Sequence, residues 1–303
     1  MNIKIRMAVT AALAAIGVAT GGGAQAAIAP FADVVVLMDE SGSMAGEQTW
    51  IKPTITTLDG KLNTAGLTPN QYGSVGFAVG GGPGLTRYFN VPAPGTSNTV
   101  GGLTNAFGTA ANFQTLTYST GGGTEDGWAA ITAANAYSFR AGSARNYILV
   151  TDEDRDASQA GLTYAGVLAS MTSTDTLLNA IVNTAFTCAG VSTNVVLGID
   201  SKGNCYIADG SGGYTTGTGG AAASPGSTTV TQYVNMALAT GGAAWNLNLL
   251  RAGGLTATSF TAAFVDIKVQ EIITPPADVP EPGSLALLGV AGLAFGLARR
   301  RKH

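Results

Sequence analysis

The chain is poor in the residues most enzymes use for chemistry. Its single histidine is His303, the last residue, and its only cysteines are Cys188 and Cys205. With no histidine before the last residue, the expected domain has no ready base for a serine or cysteine nucleophile. Lys52 and Lys61 lie on a segment that reads as a solvated helix, and neither has a Ser-x-x-Lys spacing. Two cysteines alone make a poor metal site. GGGPG at 80–84 and GGGT at 121–124 are glycine-rich, but neither runs into the Lys-Ser/Thr pair of a phosphate loop. Charge is scarce too, at 11% of residues, while 46% are hydrophobic. That is enough apolar material for a sizeable core and excludes a disordered chain.

What is present begins at the ends. The first residues, MNIKIRMAVTAALAAIGVATGGGAQA, place Lys4 and Arg6 before an apolar run that closes on Ala24-Gln25-Ala26. This is the layout of a secretory signal peptide, expected over residues 1–26. The last residues read VPEPGSLALLGVAGLAFGLARRRKH. Gly283–Ala298 is an uncharged run of sixteen residues, followed by Arg299, Arg300, Arg301 and Lys302. That is shorter than the ~20 residues of a bilayer span, a deficit that flanking residues and local thinning can cover. The basic cluster should stay cytoplasmic.

Val279-Pro280-Glu281-Pro282, the apolar run and the terminal arginines, in that order, resemble the PEP-CTERM sorting signal. The resemblance implies a Gram-negative chain exported through an inner-membrane intermediate. It implies recognition by an exosortase, a membrane protein with a cysteine nucleophile, and a destination in the envelope or extracellular matrix. No LPxTG-like string precedes the run, which sets aside a cell-wall sortase signal. The expected organisation is a leader at 1–26, a domain at 27–273, a Pro-rich linker at 274–282, and a transmembrane helix with basic tail at 283–303.

Confining the chain to 27–282 removes six of its fifteen basic residues and none of its eighteen acids, which leaves a formal charge of −9. An acidic domain is a poor partner for nucleic acid and a reasonable one for a cation. In an exported protein the even cysteine count favours a Cys188–Cys205 disulfide, with two buried thiols as the alternative. Closing that loop would add about 3 kcal/mol in the chain-entropy model.

Along the domain, aliphatic strands alternate with helical spacing. ADVVVLMD reads as a buried strand. Ile51, Ile55, Leu58 and Leu62 share one helical face that ends near Gly66. SVGFAVGGGPGLTRYFNV reads as a hairpin, and a short helix is expected near 108–115. TEDGWAAITAANAY reads as a helix with Thr124 as N-cap, and NYILVTDEDRD as a strand that runs into acids. Residues 159–185 suggest a helix broken near Ser173-Thr174, and TNVVLGI a strand. The Gly/Ser/Thr-rich span 201–228 reads as a loop. A helix around Val230–Leu238, a last strand in AAWNLNLL and a closing helix around Phe260, Phe264 and Ile267 complete the domain. The pattern implies a Rossmann-like, doubly wound α/β fold: a mostly parallel sheet with one antiparallel edge strand and helices on both faces. Trp50, Trp128 and Trp245 read as packing residues.

Ligands of such sheets bind at the carboxyl ends of the strands, where Asp39 and Asp152 sit. Asp39-Glu40-Ser41-Gly42-Ser43 matches the DxSxS motif of the von Willebrand factor A domain. GGGT resembles that family's threonine loop, and Val150-Thr151-Asp152 its strand-end segment. The likeness covers about residues 31–273. It implies a metal-ion-dependent adhesion site in which Ser41 and Ser43 bind a divalent cation directly. Thr124 would bind directly or through water, and Asp39 and Asp152 mostly through coordinated waters. Mg²⁺ suits such oxygen donors, at about 2.0–2.1 Å, with Mn²⁺ or Ca²⁺ as alternatives. A partner's carboxylate would complete the shell. The acids after Asp152 (Glu153, Asp154 and Asp156) depart from the family's usual glycine. They shift the preference towards Ca²⁺ or Mn²⁺, form a second weak cation site, or form a solvated loop with Arg155 as local partner. Glu40 reads as a surface acid. The expected function is non-enzymatic capture of an acidic protein or polysaccharide in a surface or biofilm context. A structural envelope or matrix protein whose metal only stabilises the fold is the alternative.

Overall fold

The computed structural model describes residues 29–79, 85–93 and 105–274. The expected leader, GGGPG at 80–84, the sorting string Val279–Pro282 and the tail helix lie outside the described residues. Among the described residues no helix is long and apolar enough to cross a membrane.

Among the described residues, eleven strands and seven α-helices follow one another. β1 (Ala32–Asp39) leads through a short 3₁₀ turn into α1 (Ala45–Thr64), then β2 (Gln71–Phe77) and β3 (Arg87–Tyr88). Next come α2 (Ala110–Phe113), α3 (Gly127–Ala134), β4 (Ala144–Thr151), α4 (Tyr164–Thr172) and β5 (Leu177–Val182). β6 (Phe186–Thr187), β7 (Val196–Asp200), β8 (Asn204–Ala208), β9 (Tyr214–Thr218) and β10 (Ala221–Ala222) form the next run. A π-helical turn at Val230–Val234 continues into α5 (Asn235–Ala239), followed by β11 (Ala243–Asn246), α6 (Leu247–Arg251) and α7 (Gly254–Ile273).

The main sheet has the order β3-β2-β1-β4-β5-β11-β7-β8-β9. β2, β1, β4, β5 and β11 run parallel, and β3 is the expected antiparallel edge. Up to β11 this is the 3-2-1-4-5-6 order of a doubly wound sheet, in which the connections reverse direction between β1 and β4. All eight residues of β1 are buried, because each face of the strand meets its own layer of helices. Val34, Val36 and Met38 join a core with α1 and α7, and Val35 and Leu37 a second core with α3.

The far side of the sheet departs from the sequence reading. Beyond β11 it continues antiparallel through β7, β8 and β9, so antiparallel pairing extends well past the single expected edge strand. β8 and β9 fill much of the span expected to be a loop. β5 stands where a helix was expected, after α4 stops at Thr172. Cys188 and Cys205 are joined by a disulfide with a Cα–Cα distance of 5.9 Å, tying the chain after β6 to β8. Trp50 and Trp245 pack edge-on against Phe260 and Phe264 of α7.

Candidate metal centre

β1 and β4 end side by side where the strand order reverses, and the last residue of β1 and the first residue after β4 are acids, Asp39 and Asp152. Asp39 is fully buried, and each of its oxygens already has a donor. Ser41 N donates to Oδ1 at 2.8 Å, and Thr151 Oγ1 donates to Oδ2 at 2.8 Å. The turn after Asp39 brings Ser41 Oγ within 3.1 Å of Ser43 Oγ, and Ser43 Oγ donates to Asp152 Oδ1 at 3.0 Å. Four of the five residues expected around a cation are thus linked by hydrogen bonds across two strand ends.

The fifth, Thr124, lies half-buried in a loop that reaches the same edge. Gly122 of that loop forms a parallel bridge with Ser41, and its N–H donates to Glu40 O at 3.4 Å. A Cβ at Gly122 would sit 1.1 Å from Ala78 O, so only glycine fits there. Thr124 does not cap the following helix. Asp126 does, accepting from Ala129 N at 3.3 Å, and α3 begins at Gly127.

Two further acids beside this run are buried. Glu40 is wholly enclosed, not a surface acid. It pairs with Arg87, whose Nε lies 2.6 Å from Oε2, and its Oε1 accepts from Ser119 N at 2.6 Å. Glu125 is 4% exposed, and its Oε2 has no hydrogen-bond partner. Carboxylate oxygens of Asp39, Glu125 and Asp152 all lie within 4.8 Å of one another. The residues after Asp152 explain how Glu125 is held. Asp156 Oδ2 accepts from Glu125 N at 2.8 Å, and Asp156 N donates to Glu125 O at 2.8 Å. Arg155 reaches across to the helix cap instead of pairing within its own loop: its Nε donates to Asp126 Oδ1 at 2.6 Å, and its guanidinium covers the Trp128 ring.

Two of the three crowded acids, Asp39 and Glu125, hold a proton more tightly than usual. Burial pushes Glu125 up to about 8, with help from Asp39, Glu153 and Asp152, while the Ser41 hydroxyl works the other way. Burial likewise pushes Asp39 up to about 6, against the pull of Ser41 N–H and the Thr151 hydroxyl. Among the described residues, the one ion pair any of the three makes is Arg251 Nη2 with Asp152 Oδ2 at 3.0 Å. Arg251 also donates to Ser43 O at 3.1 Å and, through Nε, to Glu47 Oε1 at 2.8 Å. Hard oxygen donors, excess negative charge and an orphaned buried carboxylate oxygen fit a divalent cation.

Comparison with known proteins bears first on the tail. Residues 278–302 match the PEP-CTERM protein-sorting motif. The chain carries a PEP-CTERM sorting signal. That signal implies recognition by an exosortase. No curated protein sequence matches the chain. Among solved structures, proximal thread matrix protein 1 from the mussel byssus, with a zinc-occupied MIDAS motif, aligns at 20% identity and a TM-score of 0.35. The alignment covers 51% of this chain and 38% of the mussel protein. The pilus adhesin SpaC from Lactobacillus rhamnosus GG aligns at 16% identity and a TM-score of 0.32, over 50% of this chain and 24% of the adhesin. The PEP-CTERM chain therefore spans well under half the length of either protein, and overlaps this partial say nothing of its ligand.

Proposed function

We propose that residues 27–273 form a von Willebrand A-type binding domain that captures an acidic ligand through a divalent cation. Asp39, Ser41, Ser43, Thr124 and Asp152 would hold the ion. When bound, the ion supplies an electrophilic corner for a partner's carboxylate, from a protein or an acidic polysaccharide. The chain's own residues orient that corner. Asp39 fixes the Ser41 backbone, Thr151 fixes Asp39, and Asp152 sets the Ser43 hydroxyl. The role is binding, not catalysis.

The observation that carries this reading is the hydrogen-bonded run from Asp39 through Ser41 and Ser43 to Asp152, built at the strand-order reversal. The sorting signal supports a setting in the Gram-negative envelope or its matrix. In this reading the leader at 1–26 is removed on export, the 283–303 helix is a transient inner-membrane anchor, and an exosortase acts at Val279-Pro280-Glu281-Pro282.

Titration calorimetry of residues 27–278 with Mg²⁺, Mn²⁺ and Ca²⁺ tests the metal. Saturable binding that disappears in Asp39→Ala is expected, and no binding of any of the three removes the proposal. Attachment of the domain to carboxylate-bearing and neutral polymer surfaces, with and without EDTA, tests the function. Metal binding without EDTA-sensitive attachment would leave only a fold-stabilising ion.

A further inference from the structure

Glu125 stands outside the ligand set that the sequence resemblance implies, yet the structure builds a support around it. Its side chain is 4% exposed, and its Oε2 has no hydrogen-bond partner. An orphaned carboxylate oxygen in such surroundings is costly unless a cation meets it. Besides the Ser41 hydroxyl, its neighbours are two more carboxylates, with Asp39 and Asp152 oxygens within 4.8 Å. The backbone of Glu125 is gripped from both sides by Asp156, at 2.8 Å in each direction. One residue further on, Asp126 accepts from Arg155 Nε at 2.6 Å and from Arg155 Nη2 at 3.0 Å. Arg155 and Asp156, after Asp152, are therefore a clamp that holds the Glu125 segment beside the ends of β1 and β4.

The donor count decides what such a site prefers. Mg²⁺ usually keeps several waters and takes one or two carboxylates. Ca²⁺ takes about 6–8 oxygens and accepts carboxylates through both atoms. Three acids and two hydroxyls converge here, which exceeds the one or two carboxylates that Mg²⁺ usually takes. Three negative charges less the one on Arg251 also match a dication.

Building on the metal-centre reading above, we propose that Glu125 is a direct ligand of the ion and makes the site select Ca²⁺ over Mg²⁺. Asp156 is its positioning residue. Calorimetry on residues 27–278, which include the whole described sheet and both cores, tests this with the two ions as their chlorides. Wild type should bind Ca²⁺ at least about tenfold more tightly than Mg²⁺. Glu125→Gln should lose Ca²⁺ affinity by about tenfold or more and change Mg²⁺ affinity by less than about threefold. Asp156→Asn, which keeps the carboxylate but loosens its loop, should weaken Ca²⁺ by roughly tenfold. Melting in EDTA above pH 8 is the fold control, and Glu125→Gln should melt no lower than wild type because it removes a buried charge crowded by Asp39 and Asp152. Should that variant fail the control, the Asp156→Asn titration decides alone. Unchanged Ca²⁺ affinity in a folded Glu125→Gln, or a wild type that prefers Mg²⁺, overturns the inference while leaving the metal centre standing. A wild type that binds neither ion removes the metal centre itself.

Discussion

Arg251 is the residue on which two halves of the candidate site meet. Its guanidinium joins Glu47 at the start of α1 to Asp152 just past the end of β4. Glu47 is 3% exposed, so Arg251→Ala would strand a buried acid. Breaking a buried pair costs about 3–5 kcal/mol, and the partial exposure of Arg251 should reduce this to roughly 1–3 kcal/mol. Urea unfolding in EDTA is the measurement, and a loss below about 0.5 kcal/mol would mean that water already serves Glu47. The same variant should weaken EDTA-sensitive attachment to an acidic surface, because it removes the positive charge that offsets the third carboxylate. Equal attachment would show that Arg251 is only a strut. At this scale the sequence was partly transparent. Asp39, Ser41, Ser43 and Asp152 stand in local patterns that can be read directly. Glu40 and Glu125 cannot be read that way, because what buries each is remote: Arg87 is 47 positions from Glu40, and Asp156 is 31 from Glu125.

Whole elements were legible where burial leaves a period and opaque where it does not. α1 shows itself through Ile51, Ile55, Leu58 and Leu62, which share a buried face. β5 is covered on both faces, so its six residues are all buried and show no alternation. A run of that kind, following a real helix, reads as more helix. β8 and β9 failed for the opposite reason. The outer strand YTTGT is exposed along most of its length and has the composition of a loop. Its place in the sheet comes from pairing with β8, next to the disulfide. Replacing both cysteines with serine should therefore cost about 2–4 kcal/mol and speed hydrogen exchange in β8 and β9. It should leave Ca²⁺ affinity within about threefold, since β1 and β4 are not part of that hairpin. A large loss of metal binding would mean that the far edge of the sheet controls the site. The loop holding Thr124 makes the contrasting case. Gly122→Ala forces the backbone off Ala78 O and away from Ser41, so ion binding should fall by at least about tenfold. Wild-type affinity in that variant would place Thr124 and Glu125 outside the coordination sphere.

For the molecule as a whole, the doubly wound order puts the acids where a sheet of this kind binds ligands, and residues 27–282 carry a formal charge of −9. That order was foreseeable from alternating strands and helices, but the crowding of three carboxylates at one edge was not. The crowding links stability to pH in a direction opposite to that of a salt-bridged acid. Asp39, pushed up to about 6, and Glu125, pushed up to about 8, bind protons more tightly in the folded chain than in the unfolded one. Their contribution is complete below the ordinary carboxyl range, near pH 4, and is lost as pH rises through about 6 and then about 8. In EDTA the melting temperature should accordingly decline between pH 5 and pH 9. A dication reverses the balance, because it binds the ionised acids and only the folded state assembles them. At a hundredfold excess over Kd it should add about 2.7 kcal/mol, most of it visible at the alkaline end where no proton has to be displaced. Paired thermal scans across this range, with EDTA and with saturating Ca²⁺, should thus diverge as pH rises. Parallel curves would mean that the ion does not meet Asp39 and Glu125, and a flat EDTA curve would mean that water already relieves their crowding.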